Sequence, residues 1–327
     1  MLNDKSKRTT KLAKLYRQEP LGFIAFVVLA AIVLLAGFAP IFTKSPYSID
    51  ALHRLEGPSL NHYFGTDNFG RDIFSRTLFA GRFSLFLGFI VTLVSGVVGG
   101  FLGMIAGFYQ KLESVIMRIM DGMMAFPPLV LAIALVAALG SGLNSEILAL
   151  SVVFTPRVAR ISHGSTLHLK GSEYVEAATA NGSKVRTILF KHILPNALSP
   201  LVVQSSFIYA EAILADAALS FLGLGVSPPT PTWGNMVADA RTYLTVAPWF
   251  SAFPGLAIVI SVTALNLAGD TLRDLISPGS ARSLSQRRRK TRPKVEVESD
   301  TPAGLSLPLV EGSVFYPRET GPVGPVT

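Results

Sequence analysis

Four long stretches of the chain carry no charged side chain: Leu21 to Thr43, Phe83 to Gln110, Gly122 to Ser145 and Thr242 to Gly269. The last is interrupted by Pro248 and Pro254, which sets its helical start near Trp249. A helix needs about 20 mostly apolar residues to cross a bilayer, so each stretch predicts a transmembrane helix. Two weaker stretches complete the pattern. Leu143 to Ile161 carries Glu146 and Arg157 near its ends, and Asn196 to Leu222 is long and apolar but holds Glu211 and Asp216. The pattern predicts six spans and an all-α integral membrane protein. Residues 1–20 are then a basic segment, 21–43 the first span, 44–82 an extracytoplasmic segment and 83–276 a core of five further spans.

Lysines and arginines test this arrangement. With six spans, both termini share one side with the second and fourth loops, and that side collects 23 cations. The other side holds Lys44, Arg54, Arg71, Arg76, Arg82 and Arg241. Cytoplasmic loops carry the excess of Lys and Arg, so both termini are expected in the cytoplasm. The basic start and Ala36–Ala39 also resemble a signal peptide, but 23 apolar residues exceed an h-region of about 7–15.

Composition agrees. Half of the 327 residues are hydrophobic and 15% are charged, with a mean hydropathy of +0.46, where a soluble domain averages roughly 25% charged. The net charge of +8 sits almost wholly in residues 1–20 and 277–327. It orients the chain and gives no argument for nucleic acid. Residues 277–327 hold six cations between Arg287 and Lys294, then a Pro/Gly/Ser-rich run without periodicity. They read as a disordered cytoplasmic tail whose basic cluster is first of all solvated stop-transfer charge, with anionic lipid headgroups as the second reading.

Catalytic chemistry is missing. The chain has no cysteine, no G-x-x-x-x-G-K-[ST] loop, no H-E-x-x-H and no G-x-S-x-G. His163 and His168 are five apart, off the spacing that puts two ligands on one helix face. Gly269-Asp270 has no partner aspartate in a matching motif. The second span carries glycines at 96, 99, 100, 103 and 107, whose small-xxx-small pairs predict close helix packing. Arg118 and Asp121 are three apart and are expected to pair on one helix face.

The loop of about 30 residues between the fourth and fifth spans is long for a compact bundle, and such loops tend to be functional. Glu173 to Asn181 reads as a short helix, with Gly182 suited to a left-handed cap. A second helical stretch from Ser183 to Ile193 runs up to Pro195. Ala177 and Ala178 leave a low surface that a partner can approach closely.

These residues carry a resemblance. Glu176-Ala177-Ala178, Gly182 and His192-Ile193-Leu194-Pro195-Asn196 resemble the EAA loop, here residues 163–195, of permease subunits of ABC importers. The general motif has isoleucine at the position of His192; the H-I-L-P-N form resembles the peptide and nickel branch. Phe64-Gly65-Thr66-Asp67, Gly70-Arg71-Asp72 and Ser75-Arg76 are similar to its first extracytoplasmic segment. Ala218 to Gly225, Pro228 to Met236 and Ala247-Pro248-Trp249 are similar to the end of its fifth span and its last outer loop. The resemblance covers about 20–276 and is specific to the C-type permease of dipeptide and oligopeptide importers.

The resemblance implies a MetI-like permease fold with a cytoplasmic coupling helix. It also implies a homologous B-type permease, two cytoplasmic ATPase subunits that hold ATP and magnesium, and an extracytoplasmic solute-binding protein. No cofactor is implied in this chain. Glu173, Tyr174, Glu176, Ala177, Ala178, Gly182, His192 and Pro195 would form the ATPase-coupling element. Glu211, Asp216 and Asp121 are candidates for the translocation path, because a charge within the membrane is functional by default. Asp216 stands where the family commonly has glutamate, and the tail beyond 277 exceeds what most relatives have.

Overall fold

The computed structural model describes residues 19–276, and the expectations for both terminal tails lie outside them. Among the described residues the chain is helical, with one isolated antiparallel bridge between Thr66 and Asp72. The first helix, α1, is Pro20–Gly37, with Pro20 in the first turn where a missing N–H costs nothing. A segment without long helices follows, and then α2, Ile73–Phe108. Its 36 residues give a length of about 54 Å, well beyond a hydrocarbon core of about 30 Å. It starts ten residues ahead of the apolar stretch, because Asp72 caps it by accepting from the Ser75 N–H at 2.8 Å.

The third apolar stretch is not one helix. Gln110–Met124 forms α3 and Pro128–Leu139 forms α4, and the two meet at 93°. Pro127 and Pro128 cause the break: neither has an N–H to continue α3, and each biases the preceding residue away from helical geometry. Alone, α4 is only about 18 Å long. Helix α5, Leu143–Lys170, runs nine residues past its expected end. It is too polar to pass as an apolar span, whereas α1, α2, Val185–Phe221 and Pro248–Leu275 all pass. That gives four apolar spans, or five if α3 and α4 form one.

Three further helices precede the last. After α5 come α6, Glu173–Ala180, and then a continuous helix through Phe221. Its regular part is α7, Leu194–Phe221, preceded by a π-helical turn at Ile188–Ile193. Pro195 therefore does not end a helix as expected. It lies in the first turn of α7, and the wider π turn relieves its clash with the preceding carbonyl. Trp233–Ala240 is α8, closed by a capping box between Thr232 and Asn235, and Pro248–Ile276 is α9.

Glycine settles the closest crossing. A Cβ on Gly103 would lie 2.1 Å from the Ala159 carbonyl of α5, and one on Gly99 would lie 2.6 Å from that of Thr155. Ser162 Oγ donates to the Gly100 carbonyl at 2.6 Å across the same seam. Helices α1 and α9 approach likewise through Gly22, Ala25, Ala264 and Ala268. Between lipid-facing helices such contact supplies the attraction that the hydrophobic effect cannot.

The segment between α1 and α2 closes around Asp67. Its fully buried carboxylate accepts from the Phe69 and Arg71 backbone N–H groups at 2.8 and 2.9 Å and from Arg71 Nε at 2.6 Å. Arg76 Nε lies 3.5 Å away. Gly70, at φ +76°, sits so close to Asp50 that a Cβ would lie 1.7 Å from its carbonyl oxygen. On the surface of this segment, the hydrogen bond to Asp50 holds the His53 imidazole above its ordinary pKa, and the same bond lowers Asp50.

Candidate functional site

The loop after α5 folds as a docked helix with one open face. Ser172 starts α6: its carbonyl accepts from the N–H groups of Val175 and Glu176, while its hydroxyl donates to Leu169 O. The end is a full Schellman motif, with Ser183 N–H to Ala178 O at 3.1 Å and Gly182 N–H to Thr179 O at 2.9 Å. Gly182 has φ +74°, the left-handed conformation expected of it, and no atom lies within 4 Å of where its Cβ would be.

One side chain anchors this helix. Val175 is buried with Met104 of α2 and with Ile188, Leu189 and Ile193 of the helical stretch leading into α7. Tyr174 adds a polar tie, its hydroxyl accepting from Asn196 Nδ2 at 3.3 Å and its ring lying 6.2 Å from that of His192. Asn196 also donates to the His192 carbonyl at 2.7 Å. The EAA residues and the H-I-L-P-N residues thus meet, although 22 positions separate Tyr174 from Asn196.

The opposite face is open. Glu173, Glu176, Ala177 and Ala180 are all exposed and recur at i, i+3, i+4 and i+7, the spacing of one helical face. Neither glutamate makes an ion pair among the described residues. Ala178 is half-buried on the inner side, so the low outer surface is made by Ala177 and Ala180. Pro195 is exposed and His192 half-buried beside them. The arrangement offers a partner an acidic, short-side-chain ridge of two turns.

The carboxylates of α3 and α7 are distributed differently. Glu211 of α7 accepts from Arg157 Nη1 of α5 at 2.6 and 2.5 Å. Asp121 of α3 pairs with Arg160 of α5, not with Arg118 as its spacing suggested, because α5 packs directly against α3 and presents Arg160 there. Asp216 is buried, accepting from Ser84 Oγ at 3.0 Å and Ser220 Oγ at 3.4 Å, beside the fully buried Glu146. The Trp233 N–H donates to the same Ser84 hydroxyl at 3.2 Å and so ties α8 into this group. His163 meets Glu113 at 3.0 Å. Helix α5 thus holds α3 and α7 through Arg157, Arg160 and His163, three residues apart.

Two residues of consequence escaped the sequence reading. Glu146 registered only as a charge near a helix end; its apolar flanks, Leu143, Ile147 and Leu150, were the available signal. Val175 is the only aliphatic residue larger than alanine in α6, which marks it as the anchor.

Apolar helices long enough to span a bilayer, with charged groups paired between them, define a multi-pass α-helical membrane protein. The family model described as "Binding-protein-dependent transport system inner membrane component" matches residues 99–282, and the chain belongs to that family. A putative peptide transport system permease protein of Brucella suis is 45% identical over 256 residues, covering 78% of this chain and 86% of that one. The dipeptide transport system permease protein DppC of Alkalihalophilus pseudofirmus is 42% identical over 267 residues, covering 81% and 88%. The glutathione transport system permease protein GsiD of Escherichia coli is 41% identical over 268 residues, covering 80% and 88%.

Proposed function

We propose that this chain is a permease subunit of an ATP-binding-cassette importer for di- and oligopeptides, forming half of the translocation path. The observation that carries the reading is α6: anchored by Val175, capped by Gly182, and presenting Glu173, Glu176, Ala177 and Ala180 to a partner. That ridge suits a groove on an ATPase subunit. Its attachment to α5 on one side and, through Tyr174 and Asn196, to α7 on the other would carry an ATPase movement into the bundle. ATP and magnesium belong to two such partner subunits, and this chain contributes no catalytic group.

The partner set is completed by a second, homologous permease and an extracytoplasmic solute-binding protein. With α3 and α4 taken as one bent span and α5 admitted as another, the chain crosses the membrane six times, with both termini in the cytoplasm. Two of the cations that α5 carries, Arg157 and Arg160, are paired within the bundle with Glu211 and Asp121. We assign Glu211, paired with Arg157 and half-exposed, to the path between the two permeases; Asp216, Glu146 and Asp121 hold the helices that frame it. Uptake that survives Glu211→Ala would reject a path role for this carboxylate.

Purification of the intact transporter from cells carrying Gly182→Asp tests the coupling element. The variant chain is expected in the membrane in normal amount, with reduced ATPase co-purification and reduced peptide uptake; normal uptake would refute the reading. A second cargo is favoured by the GsiD relative, whose name specifies glutathione transport. Titration of dipeptides, oligopeptides and glutathione against the cognate binding protein separates the two cargoes.

A further inference from the structure

Helices α2 and α7 leave a groove between them that the fold does not fill. Its volume is about 470 Å³, and its walls run from Phe89 to Met104 on α2 and from Phe190 to Ser205 along α7 and its approach. Two polar side chains reach it, and both are satisfied by their own helices: Thr92 Oγ1 donates to Gly88 O at 2.7 Å and Ser205 Oγ to Leu201 O at 2.8 Å. The groove therefore presents an apolar wall. The rise from Phe89 to Met104 of α2 makes it about 22 Å long, against about 15 Å for one leaflet of a 30 Å core.

At the end nearest α6 the groove meets a second cavity of about 290 Å³, lined by Arg186, Thr187, Phe190 and Lys191. Phe190 belongs to both and is 47% exposed. Arg186 and Lys191 make no ion pair among the described residues, whereas Arg71, Arg157 and Arg160 are each matched to a carboxylate. Two unmatched cations and a hydroxyl thus stand at the mouth of an apolar trough in a membrane protein.

We propose that this continuous surface is a binding site for one anionic phospholipid, its phosphate held by Arg186, Thr187 and Lys191 and an acyl chain lying in the α2–α7 groove. Charge complementarity selects the headgroup, and the length and dryness of the groove select the chain. If a transmembrane helix of another subunit fills the groove instead, the assembled transporter retains no phosphatidylglycerol. The leaflet is the cytoplasmic one on the orientation given above. Lipid retention is measured separately from uptake, so the two readings fail separately.

The test is native mass spectrometry of the assembled transporter, reconstituted in nanodiscs of phosphatidylcholine with phosphatidylglycerol. The intact protein is expected to retain one phosphatidylglycerol. The Arg186→Gln/Lys191→Gln variant is expected to retain it about 30-fold more weakly, from the loss of two surface cations. Lys184→Gln, a neighbouring cation outside the cavity, is expected to leave retention unchanged. Gly100→Leu, which fills the groove where a Cβ has 3.6 Å of clearance, is expected to lower it with both cations in place. Unchanged retention in the double variant, equal loss in Lys184→Gln, or equal retention of phosphatidylcholine would each overturn the proposal.

Discussion

Two motif-rich regions, the segment between α1 and α2 and the loop between α5 and α7, use their residues in opposite ways. In the first, Asp67, Arg71, Arg76, Asp72 and Ser75 are spent on one another; Asp67 alone takes two backbone and two guanidinium partners. In the second, one valine and one tyrosine hold α6 while its glutamates and small residues face outward unmatched. A motif whose residues satisfy each other builds architecture. A motif whose residues remain unsatisfied at a surface describes half of a contact. The sequence shows both as equally dense runs of Gly, Asp, Arg or Glu and does not tell them apart.

Substitutions sharpen the contrast. The largest effect is expected from Asp67→Ala, which strands two buried arginines; breaking such a pair costs about 3–5 kcal/mol, and little folded chain should survive detergent extraction and size-exclusion chromatography. Gly70→Ala comes next, because it combines a left-handed backbone with a Cβ 1.7 Å from Asp50 O. A loss of at least about 2 kcal/mol is expected, read as a lower thermal midpoint.

Val175→Ala should cost about 1–2 kcal/mol locally and show as faster amide exchange in α6, with the bundle unaffected. Gly182→Asp is expected to lower stability by no more than about 1–2 kcal/mol, since its site is open and aspartate tolerates the left-handed region. Glu176→Ala should shift stability by less than about 0.5 kcal/mol and appear only in ATPase association and uptake. If Gly182→Asp or Glu176→Ala lowers the folded yield as Asp67→Ala does, the distinction between the two regions collapses.

Much of the fold could be read from charge-free runs, because lipid imposes a length and polarity that short sequence windows record. The starts of α1 and α9 lie within one residue of the expected ones for that reason. Where helices leave the hydrocarbon, the rule loses its grip: α2 begins at Ile73 and α5 continues to Lys170 under control of caps and ion pairs. The 93° break before α4 was signalled by Pro127-Pro128, yet the surrounding hydropathy concealed it. The left-handed Gly182 and the short helix before it were legible as local chemistry. The partners of Glu211 and Asp121 were not, since Arg157 and Arg160 lie 54 and 39 positions away and only the packing of α5 brings them together.

The same ion pairs set an order for biogenesis. An arginine in an isolated helix opposes insertion, by up to about 2.5–3.5 kcal/mol at the bilayer centre, and α5 carries Arg157 and Arg160. During synthesis Arg160 finds Asp121 already in place, but Arg157 must wait for Glu211, 54 residues further on. A chain stopped before α7 is therefore expected to leave α5 loosely inserted, with a cysteine near Arg157 open to aqueous thiol reagents. In the full-length chain the same cysteine is expected to be protected, the later helix α7 holding the earlier α5 in place.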